Sequence, residues 1–292
     1  MKNPANPVGP LSTLLSLAAL TAAGCTAAQA DLPPTPATAE YIANEGLVVS
    51  RGDTKIMFDP LPLSGFDVYP EPSSAQIEQM MSGEGPYADV DVVFISHAHS
   101  DHFSAKAIVN YLMAQRGVHI VMPSQALDMI AKEFPEMDTW EEDFKARMHV
   151  LDMEAGDAPQ AVTIGDINAA AVRIPHAGWP DPRRASIQNM VYRVTLADGA
   201  TVMHMGDADP RRAHYTPHQS HWSERRTDGA FPPYWFLTSE TGRNILTDDL
   251  NVAASTGVHV PLEIPDELKA SGQDFFSVPG EKREIGKPEA LK

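Results

Sequence analysis

The chain has a single cysteine, Cys25, close to its start. Beyond it there is no thiol, so the folded part has no disulfide, no cysteine nucleophile and no cysteine metal ligand. Positive charge is also scarce. Against 39 Asp and Glu stand only 22 Lys and Arg, a formal net charge of −17. Polyanions are bound by clustered Lys and Arg, so this balance argues against a nucleic-acid partner. Arginines pair at Arg183-Arg184, Arg211-Arg212 and Arg225-Arg226, each either a solvated surface pair or a grip for an anionic group. Leu11 to Ala23 is apolar but too short to span a bilayer, and no second run of that kind follows. Gly-x-Ser-x-Gly is absent, as is any repeat of fixed period, which removes a serine-hydrolase elbow and a solenoid from consideration.

What is present at the N-terminus reads as an export signal over residues 1–30. Lys2 supplies a thin positive region, the apolar stretch follows, and Ala28-Gln29-Ala30 has the small-x-small form of a cleavage site. Ala22-Ala23-Gly24-Cys25 offers a competing reading, with Cys25 as a lipidated residue. Either way the protein is expected outside the cytoplasm, periplasmic or secreted, anchored by lipid in the second case. Residues 31–39, rich in Pro and Ala, read as a linker, and 40–292 as one domain. With 43% hydrophobic residues that domain can bury a sizeable core.

Short strands are predicted at Glu40–Asn44, Leu47–Ser50 and Lys55–Phe58, the last closed by Asp59-Pro60. A helix is expected over Ser74–Met81, stopped by Gly83. Asp91–Ile95 is β-branched and reads as a buried strand. Ser104 caps a helix running to about Arg116, with Gly117 as its stop, and strand His119–Met122 and a helix from Ser124 follow. His119 lies within its strand and reads as a packed histidine. This order of strand, helix and strand points to a layered α/β fold. Further strands are expected at His149–Leu151, Ala161–Ile164, Ile167–Ile174, Met190–Leu196 and Thr201–Met205, the last two joined by Ala197-Asp198-Gly199. Glu240–Asp249 reads as a helix, Ala253–Val258 as a strand and Pro265–Ser271 as a last helix.

The densest chemistry is Ser96-His97-Ala98-His99-Ser100-Asp101-His102, directly after the buried strand. Three imidazoles and a carboxylate at a strand end suit zinc or a similar borderline metal; the plain alternative is a histidine-rich polar loop. His176, Asp207 and His259 each follow a predicted strand too, and strand-end residues collect at one edge of a layered sheet. Seven donors exceed one tetrahedral ion and suit two ions if one carboxylate bridges.

H-x-H-x-D-H after a strand, then Ile174-Pro175-His176, Met205-Gly206-Asp207 and Gly257-Val258-His259-Val260-Pro261 in that order, resembles the metallo-β-lactamase superfamily across essentially the whole domain. Asn44-Glu45-Gly46 followed by Lys55-Ile56-Met57-Phe58-Asp59-Pro60 is similar to the opening strands of its ascorbate-phosphate lactonase-like branch. The resemblance implies an αββα four-layer sandwich, two mixed sheets between helices with metals at one edge. It implies two divalent ions, zinc first and manganese or iron as alternatives. His97, His99 and His176 would hold one, Asp101, His102 and His259 the other, with Asp207 bridging. Asp101 and Asp207 are the implied catalytic carboxylates. Asp59 would orient the motif histidines through hydrogen bonds, or is simply a turn residue before Pro60.

The implied function is a metal-dependent hydrolase in which a water or hydroxide shared by two ions cleaves an ester, lactone, amide or phosphodiester bond of a small molecule. An iron-dependent oxidoreductase of the same superfamily is the alternative, although its diiron flavoproteins usually carry Glu where this chain has His99. β-Lactam cleavage ranks lower, since the main zinc subclass uses a cysteine ligand. For substrate contacts, Trp179, Trp222, Tyr234 and Trp235 are candidates for an apolar wall, against ordinary core packing. Arg183 and Arg184 are candidates for gripping an anion, against a solvated pair. His204, His214, His218 and His221 have no motif role, though one is a candidate proton donor.

Overall fold

The computed structural model describes residues 36–286 apart from Ser64, Phe66 and Asp198. The leader, Cys25, the first residues of the linker and the central residue of the Ala-Asp-Gly turn lie outside the described residues. The chain opens with a three-strand meander: β1 (Ala37–Ala43), β2 (Gly46–Arg51) and β3 (Thr54–Phe58). β1 thus begins within the stretch read as linker. α1 (Ser74–Ser82) is started by a reciprocal Ser73–Gln76 cap and ended by Gly83 in the left-handed region. β4 (Val92–Phe94), α2 (Ala105–Ala114), β5 (His119–Pro123), α3 (Ser124–Glu133), the short α4 (Glu142–Lys145) and β6 (Met148–Leu151) follow. Ser104 caps α2 as expected, but the helix stops at Ala114, short of Gly117. The Gln115 amide group donates to the Met81 carbonyl at 2.8 Å, tying the last turn to the end of α1.

The second half supplies β7 (Gln160–Ile164), β8 (Ile167–Arg173), α5 (Pro182–Ala185), β9 (Met190–Thr195), β10 (Thr201–His204), α6 (Gln219–Glu224), β11 (Gly229–Phe231), α7 (Glu240–Asn244), α8 (Asp266–Ser271) and β12 (Lys282–Ile285). One sheet runs β12-β1-β2-β3-β4-β5-β6 and the other β11-β10-β9-β8-β7. Both are mixed: β3 to β6 pair in parallel, as do β10 and β11, and the remaining neighbours are antiparallel. The strand expected at Ala253–Val258 does not form a ladder. Only isolated bridges link Val252, Ser255 and Val258 to Thr227, Ala230 and Pro233, because Pro232 and Pro233 have no N–H to donate. The helix expected over Glu240–Asp249 ends at Asn244 and continues as a π-helical turn, Ile245–Asp249.

Side-chain alternation builds the layers. In β3 and β4, Ile56, Phe58, Val92 and Phe94 face the other sheet and meet Ala171, Tyr192, Val194 and Val202. Met57, Val93 and Ile95 point the other way, onto Met80, Ile108, Tyr111, Leu112 and Ile130 of α1 to α3. On the outer face of the second sheet, Val172, Val191 and Met203 pack on Trp222, Phe236, Ile245, Leu250 and Leu268. Strands covered on both faces read as continuous apolar runs, which is why β4 and β5 show no polar alternation. The result is the αββα sandwich. Among the described residues no helix is long and apolar enough to cross a membrane.

Candidate metal centre

Strands β3, β4, β8 and β10 end at one edge of the sandwich, and the polar residues that follow them meet there. Phe58 is in register with Phe94, so Asp59 emerges beside the motif loop and its N–H donates to the Phe94 carbonyl at 3.0 Å. His97 to His102 follow β4, His176 follows β8, and Asp207 follows β10 through Gly206. His259 arrives from the bridged segment with φ of 58°, held by its N–H donating to the Asn44 carbonyl at 3.0 Å.

The seven predicted donors come together in two groups. His97, His99, His176 and Asp207 each bring one ligand atom within 4.8 Å of the others, and so do Asp101, His102 and His259. Asp207 lies between them. Its Oδ2 is 3.0 Å from His176 Nε2 and 3.9 Å from His97 Nε2, while its Oδ1 is 3.1 Å from His259 Nε2 and 3.4 Å from His102 Nε2. Asp101 Oδ2 lies 3.5 Å from His259 Nε2. His102 Nε2, His176 Nε2, His259 Nε2 and Asp207 Oδ1 are buried without a hydrogen-bond partner among the described residues. Buried polar atoms are rarely left so, and atoms orphaned around one point fit a divalent ion with nitrogen and oxygen ligands. The donor set therefore fits the metals that the sequence implied.

The far sides of three of the rings, His97, His102 and His176, are held. Asp59 accepts from the Ser96 N–H at 2.8 Å and from the Ser96 hydroxyl at 2.5 Å, and its Oδ2 is 3.0 Å from His102 Nδ1. The Ser96 hydroxyl also lies 3.1 Å from His97 Nδ1. His176 Nδ1 donates to the Ala177 carbonyl at 2.8 Å. With Nδ1 engaged, the His97, His102 and His176 rings turn Nε2 inward. Asp59 thus sits where orientation of the motif histidines requires it.

Three further residues brace the site although the sequence did not single them out as site residues. Asn189 donates from its side chain to the Ile174 and Met205 carbonyls at 3.4 and 3.1 Å and accepts from the Asp207 N–H at 2.9 Å, joining the strand ends that carry His176 and Asp207. Asn44 donates to the Asp101 carbonyl at 2.8 Å. Glu45 is fully buried, its Oε2 3.7 Å from His102 Nδ1 and 3.5 Å from His204 Nε2. A lone Asn or Glu after an apolar strand looks like a turn, and only packing reveals its use.

Gly206 explains the Gly-Asp pair. Its φ is 52°, and a Cβ there would stand 2.4 Å from Asn189 Oδ1 and 2.7 Å from Ser96 Cβ. Gly206→Ala is expected to lower stability by about 2–3 kcal/mol from φ strain and overpacking, and to reduce metal content as Asp207 shifts. Chemical denaturation and metal analysis of the variant check both.

Electrostatics divide the histidines. Burial, reinforced by His102 and His176, holds His97 well below its usual value, and burial with His176 lowers His99 to about 4. Burial also opposes charge on His102 and His259, but Asp207 and the other carboxylates beside them, Asp59 at His102 and Asp101 at His259, outweigh it and hold both well above the usual range. Burial works against charge on Asp207 as well, and His259, His102 and His176 overcome it, keeping the carboxyl well below its usual value. Glu45 is pushed well above its usual value by burial.

A cavity of 570 Å³ opens over the cluster, lined by His99, Asp101, His176, Asp207 and His259 with Tyr69, Arg184 and Trp235 among its walls. Of the aromatic wall expected from sequence, Trp235 alone lines it. Trp222 is fully buried in the outer layer against the second sheet, because that layer has no long helix and needs large side chains to fill it. Tyr234 packs on Trp235 at 5.5 Å, outside the lining, and Trp179 meets His214 edge-on at 5.0 Å. Arg183 is exposed and paired with Asp181 at 2.8 Å rather than turned to the cavity. His204 stacks on Phe58 at 4.8 Å and donates to the Glu45 carbonyl at 3.0 Å; His214, His218 and His221 likewise lie off the lining. His119 is only partly buried and pairs with His149 at 3.0 Å, so it is not a packed core residue.

The pattern of the beta-lactamase superfamily domain matches residues 40–221. No curated protein matches the chain. Among solved structures it is similar to the metallo-beta-lactamase fold protein YhfI from Bacillus subtilis, at 15% identity and TM-score 0.53, covering 86% of this chain and 99% of that one. It is similar to the metallo hydrolase Igni18 from the archaeon Ignicoccus hospitalis, at 13% identity and TM-score 0.53, covering 87% and 100%. Isothiocyanate hydrolase from Delia radicum gut bacteria gives 13% identity and TM-score 0.55, covering 84% and 98%. At these identities the likeness is one of fold.

Proposed function

Since the chain belongs to the beta-lactamase superfamily, in its metallo-beta-lactamase fold, we propose that it is a hydrolase of a small molecule working with two divalent ions, zinc in first place. The observation that carries this is the convergence of seven donors, with buried atoms of His102, His176, His259 and Asp207 left unpartnered toward one another. His97, His99 and His176 would hold one ion, Asp101, His102 and His259 the other, and Asp207 would reach both. Divalent ions held there would supply a hydroxide near neutral pH by lowering the pKa of bound water.

The chain's own groups supply the rest. Asp59 and Ser96 fix the rings that face the reacting centre, so little reorganisation accompanies the chemistry. Asp101, the more exposed carboxylate of the cluster, lines the cavity, where we assign it acceptance of a proton from the attacking water. No serine or cysteine nucleophile lies in this scheme.

Metal analysis of the purified protein, then a screen against lactones, phosphodiesters, aryl esters, isothiocyanates and β-lactams, tests the reading. Two zinc or manganese ions per chain and hydrolysis lost on chelation are the expected outcome. One iron per chain with oxygen uptake would replace it with the oxidoreductase alternative.

A further inference from the structure

Among the described residues, Arg184 is the only Lys or Arg lining the 570 Å³ cavity. Its neighbours in the same two loops are committed elsewhere. Arg183 holds both oxygens of Asp181, through Nε to Oδ1 at 3.2 Å and Nη2 to Oδ2 at 2.8 Å. Arg211 donates to the Trp179 carbonyl and approaches Asp209 Oδ2 at 3.4 Å, and Arg212 pairs with Asp249 at 2.9 Å. The Arg184 guanidinium has no hydrogen bond or ion pair with any described residue; it feels Asp181 through space, but that carboxylate is already engaged.

Its place is built rather than incidental. Gly178 has φ of 90°, and a Cβ there would lie 3.3 Å from Arg184 Cγ, so the stem runs across the glycine. The turn that carries Arg184 is started by Asp181 accepting the Arg183 N–H at 2.9 Å, in the loop that begins at His176. Elsewhere on the lining, Tyr69 and Trp235 stand against the His259 ring at 4.3 and 5.3 Å and give the cavity apolar walls. With two divalent ions in place, a cavity holding Asp101, Asp207 and Arg184 is net positive in a chain whose formal charge is −17. Such a cavity draws in an anion.

We propose that the substrate is an anionic small molecule, its carboxylate or phosphate held by Arg184 and its apolar body resting against Tyr69 and Trp235. This deepens the hydrolase reading above and rests on it. A guanidinium fork matches either oxyanion, and an ammonium does so less well.

The test compares 4-carboxyphenyl acetate with phenyl acetate on the metal-loaded protein, on Arg184→Ala and on Arg184→Lys, with metal content and Tm checked in each. The wild type is expected to favour the charged ester in kcat/KM. Arg184→Ala should cut that preference roughly ten- to a hundredfold, mostly through KM, and Arg184→Lys should restore part of it. A preference unchanged in Arg184→Ala, or absent from the wild type, overturns the proposal. If neither ester is hydrolysed, calorimetry with benzoate, phenylphosphonate and neutral benzamide still decides. Anion binding at least tenfold weaker in Arg184→Ala upholds the anion site while the hydrolase reading falls by itself, and the stronger of the two anions identifies carboxylate or phosphate. Equal binding to wild type and variant, or no preference over benzamide, removes the site.

Discussion

Asp207→Ala is expected to release most of the bound metal and to lower kcat/KM by at least about a thousandfold, the scale on which a group acting as one unit with its neighbours registers. The argument is geometric. Oδ2 faces His176 and His97 while Oδ1 faces His259 and His102, all within 3.0 to 3.9 Å, so this one carboxylate is shared between the two groups of donors. Removing the carboxylate takes a ligand from each group and leaves His102 and His259 to repel each other. Asp207→Asn, which keeps the shape and one oxygen but not the charge, should fall between the wild type and alanine. Metal analysis beside steady-state kinetics checks the series. Full occupancy with normal turnover in Asp207→Ala would refute the bridging assignment.

Much of this arrangement is legible in the order of the residues. Buried strands are announced by unbroken apolar runs such as Val92–Ile95, and the end of α1 by Gly83. His176, Asp207 and His259 stand out because each follows a strand, and the fold turns that sequential fact into a common edge. β11 and β12 carry little signal because they are only three and four residues long, and β12 is largely polar and exposed; their pairing is decided by partners far away in the chain. Asn189 and Glu45 matter only through what packs on them, and a single sequence does not print packing. The two adjacent arginines make the point most sharply. Nothing in Arg183-Arg184 tells them apart, yet a four-residue helix gives one to Asp181 and the other to the cavity.

Stripping the metals is expected to lower stability, by an amount that grows as pH rises above about 6.5, the ordinary histidine value. Metal at a thousand times its Kd adds about 4 kcal/mol, or roughly 8–16 °C in Tm for a domain of this size. The pH dependence follows from the protonation states of the metal-free cluster. His102 and His259 are held above their ordinary values, Asp207 chief among the opposing charges, so their contribution is complete below the unfolded value and lost as pH climbs through the folded one. Asp207 and Asp101 are held below theirs, so their contribution is present above the unfolded value and lost only as pH falls into the acid range. His97 and His99, lowered chiefly by burial, stay neutral in the fold and weaken it once pH drops below the unfolded histidine value. The metal-free protein is therefore most stable near neutral pH and declines on the alkaline side, where Asp207 and Asp101 lose their imidazolium partners. Bound ions replace those protons, so the loaded protein lacks that decline, and loading at neutral pH releases protons from His102 and His259. Thermal unfolding with chelator and with added zinc, at pH 6.5 and pH 9, should show the larger gap at pH 9, and calorimetry in buffers of different ionisation enthalpy should register the protons. A gap independent of pH, or one that narrows toward alkaline pH, would show that His102 and His259 do not carry those protons in the metal-free fold.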